Sequence, residues 1–217
     1  MHLRLALALA AAVAFSPVAF SQGGLLGLTS DVFQVNYSSN LDRGDSYVDM
    51  TNSGAHTQAV GLVTGSSDPA TNICANLYTF DAAAELISCC TCLVTPGGLQ
   101  SLSVINSLIS NPLTPAIPSA VIVKAVANLT SPCDASAVTP DSLVHGLLVW
   151  NTTLHQNTST ATPSYSLTET AFSFAALSAA ELTHLTSTCG FIQANGSGFG
   201  ICKGCNAGGL GASTSGH

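Results

Sequence analysis

The sequence predicts a mainly β, antiparallel sandwich-like domain with one C-terminal α-helix, stapled by disulfides. Three observations carry that reading. Period-2 apolar patterns recur along the chain, one helix signal stands near its C-terminal end, and eight cysteines fall after an export-like leader.

The strands come first. "DVFQVNYS" places Phe33, Val35 and Tyr37 on one side, and "DSYVDMTN" places Val48 and Met50 on one side before the turn signal Asn52-Ser53-Gly54; both read as strands half exposed to water. "NICANLYTFD" (72–81) and "ELISCCTCLV" (85–94), joined by an Ala-rich link, read as a hairpin turning around Ala82 to Ala84. "SAVIVKAVAN" (119–128) and "SLVHGLLVW" (142–150) are apolar on both faces, as strands buried in a sandwich core are. The segment between them is a loop pinned at Cys133. "NTTLHQNTSTATPS" (151–164) reads as a long solvated connection.

The helix follows. Ser178-Ala179-Ala180-Glu181 spells a capping box, Leu182, Leu185, Cys189 and Ile192 recur along one face, and Gly196 supplies the stop.

The leader "MHLRLALALAAAVAFSPVAFSQGG" has basic residues ahead of an apolar run too short to span a bilayer, then Ala19-Phe20-Ser21. The expected organisation is a signal peptide over 1–21, a single secreted β-rich domain over 22–205 and a flexible Gly/Ser tail over 206–217. No later segment is an uninterrupted transmembrane run, so the expected location is extracytoplasmic. Beyond the leader, 11 acids face three cations, Arg43, Lys124 and Lys203. So few cations cannot neutralise a run of phosphates, which argues against nucleic acid as a partner; given the export leader, the expected partner is an unknown extracellular or envelope one. Charged residues are 7% of the chain, against roughly 25% in an average soluble domain, and Ser, Thr, Asn and Gly carry the solvation instead.

Cys74, Cys89, Cys90, Cys92, Cys133, Cys189, Cys202 and Cys205 make an even set, and an oxidising compartment pairs such thiols. Adjacent strand residues point to opposite faces, so Cys90 and Cys92 share one face and Cys89 takes the other. Turning the hairpin around Ala82 to Ala84 sets Cys74 opposite Cys90 or Cys92, and a cross-strand bond there is the expected first staple. The remaining thiols are then free for Cys202, Cys205 or Cys189. A metal site needs four converging ligands, and only Cys202-Lys203-Gly204-Cys205 has knuckle spacing. A redox motif wants its C-x-x-C at a helix N-terminus, whereas this one follows Gly-rich coil. No cofactor is expected.

Catalytic motifs are absent from the sequence: no G-x-S-x-G, H-E-x-x-H or EF-hand loop occurs. His56, His145, His155, His184 and His217 have no ligand spacing. Asp81 and Glu85, flanking the hairpin link, would suit a turn cap, with a glycosidase-like pair as the sharper alternative. Gly196 to Gly200 reads as a turn bringing Cys202 to its partner, and Arg43-Gly44-Asp45 as an ordinary turn that happens to spell an adhesion tripeptide. Trp150 reads as a core residue, or more sharply as a sugar-stacking platform. Sequons at Asn36, Asn128, Asn151, Asn157 and Asn195 would matter only in a eukaryotic secretory path.

The blocks "NICANLYTFDAAAELISCCTCLVTPGGLQSLS" and "CGFIQANGSGFGICKGC" resemble a group of uncharacterised bacterial secreted proteins that carry CC-x-C-x-V-T-P and G-F-G-I-C-K-x-C. The resemblance implies export and a shared fold, and carries no functional residue over. The expected role is therefore non-catalytic: structural, adhesive or ligand-binding. An exported hydrolase on polysaccharide or peptide, and a Cys-cluster metal binder, are the alternatives.

Overall fold

The computed structural model describes residues 25–54, 72–129, 132–157, 162–203 and 206–207; the leader, His56, His217 and Cys205 lie outside them. Among the described residues ten strands run in order: β1 (Leu25–Ser38), β2 (Tyr47–Asn52), β3 (Ile73–Phe80), β4 (Leu86–Val94), β5 (Leu99–Ser103), β6 (Val121–Asn128), β7 (Leu147–Asn157), β8 (Ser164–Ala171), β9 (Ser173–Ser178) and β10 (Asn206–Ala207). An α-helix, α1 (Ala179–Ala194), follows β9. The strands form two five-stranded sheets, β4-β3-β6-β1-β9 (sheet A) and β10-β5-β2-β7-β8 (sheet B), and every pairing between these strands is antiparallel.

Between the sheets lies one core. Ile73, Ala75, Leu77 and Val123 from sheet A meet Val48, Met50, Leu102 and Val149 from sheet B, all at most 2% exposed. A second cluster covers the other side of sheet A, where Phe33, Tyr78, Cys89 and Val126 pack against Leu182, Leu185, Cys189 and Ile192 of α1 and against Ala135 and Val138 of the loop before β7. Over its centre sheet A is thus buried on both faces, and β3 is buried at all eight positions.

The helix matches its expected boundaries, with Ser178 as N-cap, the four expected residues buried and Gly196 at φ 68° just past its end. The capping box closes on one side only. Ser178 Oγ accepts the Glu181 amide at 3.0 Å, while the Glu181 carboxylate turns to Lys124.

Several strand expectations need correction. β2 is not half exposed: four of its six residues are buried, Asp49 and Asn52 among them, because it is the central strand of sheet B. In β1, Gln34 and Ser38 are as buried as Val32 and Phe33. The stretch 142–150 is not one strand; β7 begins at Leu147 and continues to Asn157, into the segment expected to be solvated. Amide and hydroxyl side chains explain that extension by tying β7 to β1 of the opposite sheet. Gln34 Nε2 donates to the Leu147 carbonyl at 2.8 Å, Asn151 Nδ2 to that of Tyr37 at 2.7 Å, and Asn40 Nδ2 to that of Leu154 at 2.6 Å. Polar residues here satisfy buried backbone groups instead of meeting water. At Phe172, 4% exposed, the chain leaves sheet B for sheet A, so β8 and β9 form one ribbon turning a corner of the sandwich. Asn206–Ala207, at the start of the expected flexible tail, pairs with Ser101 and Gln100 of β5.

Candidate functional site

The cysteines come first, because most chemical alternatives rest on them. Cys74 bonds Cys133, Cys89 bonds Cys189 and Cys90 bonds Cys202, closing sequence separations of 59, 100 and 112 residues. Cys92 is disulfide-bonded as well. The expected cross-strand bond from Cys74 to Cys90 or Cys92 does not form, and a single bulge is the reason. Phe80 pairs with Leu86, but Thr79 pairs with Ser88, so Ile87 is an extra residue on β4. From there on the parity is shifted: Cys74 lies opposite Leu93, while Cys90 and Cys92 lie opposite Leu77 and Ala75. A one-residue slip exchanges faces. Cys74 and Cys89 therefore look outward, to the loop and to α1, while Cys90 and Cys92 look into the core between the sheets, as the alternation within "SCCTC" predicts. Three separate segments, a loop, a helix and the C-terminal tail, are fastened to one hairpin.

The tail reaches that hairpin through Gly196 to Gly200. Asn195 Oδ1 accepts the Ser197 amide at 3.2 Å, Gly200 donates to the Asn111 carbonyl at 2.7 Å, and the Cys89 amide donates to the Gly200 carbonyl at 2.9 Å. Gly200 has φ 77°, and a Cβ on it would lie 2.8 Å from Ile192 Cγ2, so only glycine fits. This is the expected turn delivering Cys202.

The side chains considered for catalysis are mostly engaged in holding loops. Asp81 accepts the amides of Ala83 and Glu85, both at 2.9 Å, and caps the β3–β4 turn. His145 sits at a bend, not in a strand, with Nδ1 2.6 Å from Asp31 Oδ1; the other Asp31 oxygen accepts the Gly146 amide. The Asp45 carboxylate of the Arg-Gly-Asp tripeptide binds Ser103 Oγ, the Ile105 amide at 3.0 Å and Asn106 Nδ2 at 3.2 Å, and thereby anchors the turn after β5. Arg43 pairs with Asp42 at 2.9 Å, both well exposed. Asp134 shows the same pattern beside Cys133: burial pushes its carboxyl up, but the Ser136 amide and hydroxyl and the Gln193 amide outweigh that and hold it below the usual range. Its neighbour Tyr78 donates to the Ala135 carbonyl at 2.6 Å, and burial, with Asp134 nearby, pushes its hydroxyl far up. Among the described residues, no three of His, Cys, Asp and Glu converge as metal ligands do.

Two features remain open. The first is a row across sheet B, Ser101–Asp49–Trp150–Ala171, in which each residue is the cross-strand neighbour of the next. Trp150 thus stands within β7 on the face away from the core. Asp49 is 6% exposed and its Oδ1 has no hydrogen-bond partner; burial pushes its carboxyl up, and the Ser101 hydroxyl pulls the other way without reaching normal hydrogen-bond geometry.

The second is a shallow groove on the outer face of sheet A beside the N-terminus of α1. Ile122 divides it into two hollows of about 180 and 170 Å³. On one side Phe80, Lys124, Glu181 and His184 line it, with Lys124 Nζ 2.6 Å from Glu181 Oε1 and 4.4 Å from the Phe80 ring centre. On the other side Tyr37, Asp81 and Val121 line it. Tyr37 and Ile122 are cross-strand partners, 52% and 42% exposed. An apolar platform beside a fixed ion pair suits non-covalent binding of a small amphipathic group. Of its residues, sequence reasoning weighed only Asp81 and His184 as candidates for site chemistry. Tyr37, Phe80, Ile122 and Lys124 meet through strand pairing alone and carry no local signal.

Comparison with known proteins finds no matching family model, no matching curated protein and no matching solved structure.

Proposed function

We propose that the protein is an exported, non-catalytic structural or adhesive β-sandwich whose cysteines serve stability. The observation that carries this reading is the convergence of three disulfides on the β3–β4 hairpin, each closing a loop of 59 residues or more. Disulfides of this kind typically contribute about 2–4 kcal/mol each. They persist where no reducing pool opposes them, outside the cytoplasm. The engaged carboxylates support the same reading, since Asp31, Asp45, Asp81 and Asp134 each hold a loop in place, Asp31 also pairing with His145. Two of the sequons, Asn128 and Asn151, are 0% and 1% exposed, leaving no room for a glycan in the folded protein.

Intact mass of the natively exported protein, before and after reduction, tests this, with alkylation and a chelator as controls. The expected result is a mass lower than the reduced form by two hydrogens per disulfide, no alkylation before reduction, and a peptide map with Cys74–Cys133, Cys89–Cys189 and Cys90–Cys202. Free thiols with a chelator-sensitive mass increment would replace this reading with a metal-binding one. Turnover of polysaccharide or peptide lost on His145→Ala or Asp81→Ala would replace it with a hydrolase.

A further inference from the structure

The edges of the two sheets are covered unequally. β4 is shielded by backbone hydrogen bonds: Leu113 donates to Ile87 at 3.0 Å, Cys89 to Gly200 at 2.9 Å, and Cys202 to Cys89 at 3.3 Å. β5 carries β10. β8 pairs with β7 over eight residues without a register shift, and among the described residues no strand lies on its other side. Its last six residues, 166–171, are all exposed.

Exposed edges are normally blunted by Lys, Pro, a bulge or very short length. β8, "SYSLTETA", is eight residues long and has none of the first three; Glu169 is its one charge. Leu167 stands 52% exposed in the middle of it.

We propose that β8 pairs antiparallel with β8 of a second copy, joining the two B sheets into one continuous sheet across a two-fold axis. The inference stands on the sheet edges alone and not on where the protein acts.

The sequence of the edge argues for a second copy. With the axis at Leu167, the two Leu167 side chains meet, Tyr165 faces Glu169 twice, and Ser166 faces Thr168 twice. Exposed apolar surface is buried and like charges stay apart. An axis at Ser166 sets Leu167 against Tyr165 but Glu169 against Pro163, which has no N–H to give, and the remaining registers are worse. An axis at Glu169 sets two carboxylates opposite each other, one at Thr168 sets Leu167 against Glu169, and one at Tyr165 brings Leu167 against Pro163, which has no N–H to give. The corner limits the contact to about residues 165–169, because the Thr170 and Ala171 carbonyls already face Asn36 Nδ2 at 3.4 and 3.3 Å. Such a contact is isologous, so it closes at a dimer and does not propagate.

The test is sedimentation velocity on the disulfide-intact protein across a concentration series, with Leu167→Lys and Leu167→Cys beside it. The native chain is expected to dimerise with concentration. L167K, at an exposed position, is expected to keep the melting temperature and lose the dimer. L167C is expected to give a covalent dimer on oxidation whose cross-linked peptide joins position 167 of one copy to position 167 of the other, whereas Ala171→Cys gives none. A native chain that stays monomeric overturns the proposal, and so does a dimer that L167K leaves intact. A dimer whose L167C form does not cross-link places the contact elsewhere and overturns it too.

Discussion

Asp49 is the residue where the fold works against itself. A carboxylate 6% exposed, with one oxygen unpartnered, is disfavoured in its charged form, so its pKa rises above the ordinary 3.8. The folded state then holds the proton more tightly than the unfolded chain. Stability from this group is fully present below the ordinary pKa and is lost as pH rises through the folded value. At neutral pH the charge is a burden, and Asp49→Asn is expected to raise the melting temperature, by of order 1 kcal/mol in stability. That gain should shrink as pH falls toward 3.8. Melting curves of both proteins from neutral to acid pH check this, and a D49N protein less stable at neutral pH would mean that the charge has a partner the geometry does not reveal.

At the scale of elements, the β3–β4 turn carries backbone strain. Ala84 has φ 64°, a left-handed conformation that costs an L-residue roughly 1–2 kcal/mol, though the Asp81 carboxylate holds the turn closed. Ala84→Gly removes that strain and adds about 0.5–1 kcal/mol of unfolded-chain entropy. A net stabilisation of up to about 1.5 kcal/mol is expected in denaturant titration, with the hairpin register unchanged. The hairpin also shows where the sequence was readable. Its existence and the position of its turn followed from two apolar runs and a short link, and α1 followed from its cap and its helical spacing. The partner of Cys74 did not, because Ile87 enters as an extra residue and nothing in "AELISCC" marks a bulge. The continuation of β7 through "NTTLHQN" was hidden for another reason: its stability comes from amides bridging to β1 and the turn after it, contacts that cross more than 100 positions of sequence. β8 and β9 show no apolar alternation because one lies at an open edge and the other pairs irregularly with β1. The groove beside α1 was unreadable for the same tertiary reason, since its walls come from β1, β3, β6 and the helix.

For the molecule as a whole, the staples define layers. None of the bonds at Cys74–Cys133, Cys89–Cys189 and Cys90–Cys202 touches a strand of sheet B; two fasten the outer layer of sheet A and one the tail that reaches the core. The outer layer is thin. It consists of one helix with four buried residues and a short loop, and most of a helix's stability in a protein comes from packing its apolar face. The core between the sheets is larger and joins the central strands of both. Removing Cys89–Cys189 should therefore act locally. In the double variant Cys89→Ala/Cys189→Ala, opening of α1 is expected to become easier by about 2–4 kcal/mol, while residues 48–52 of β2 keep their protection. Hydrogen exchange read by peptide checks both segments in one experiment. Faster exchange confined to Ala179–Ala194 means that the helix is a separately unfolding layer held on by its staple. If β2 loses protection to the same extent, the sandwich and its outer layer unfold as one unit, and the disulfide stabilises the whole protein instead of pinning a layer.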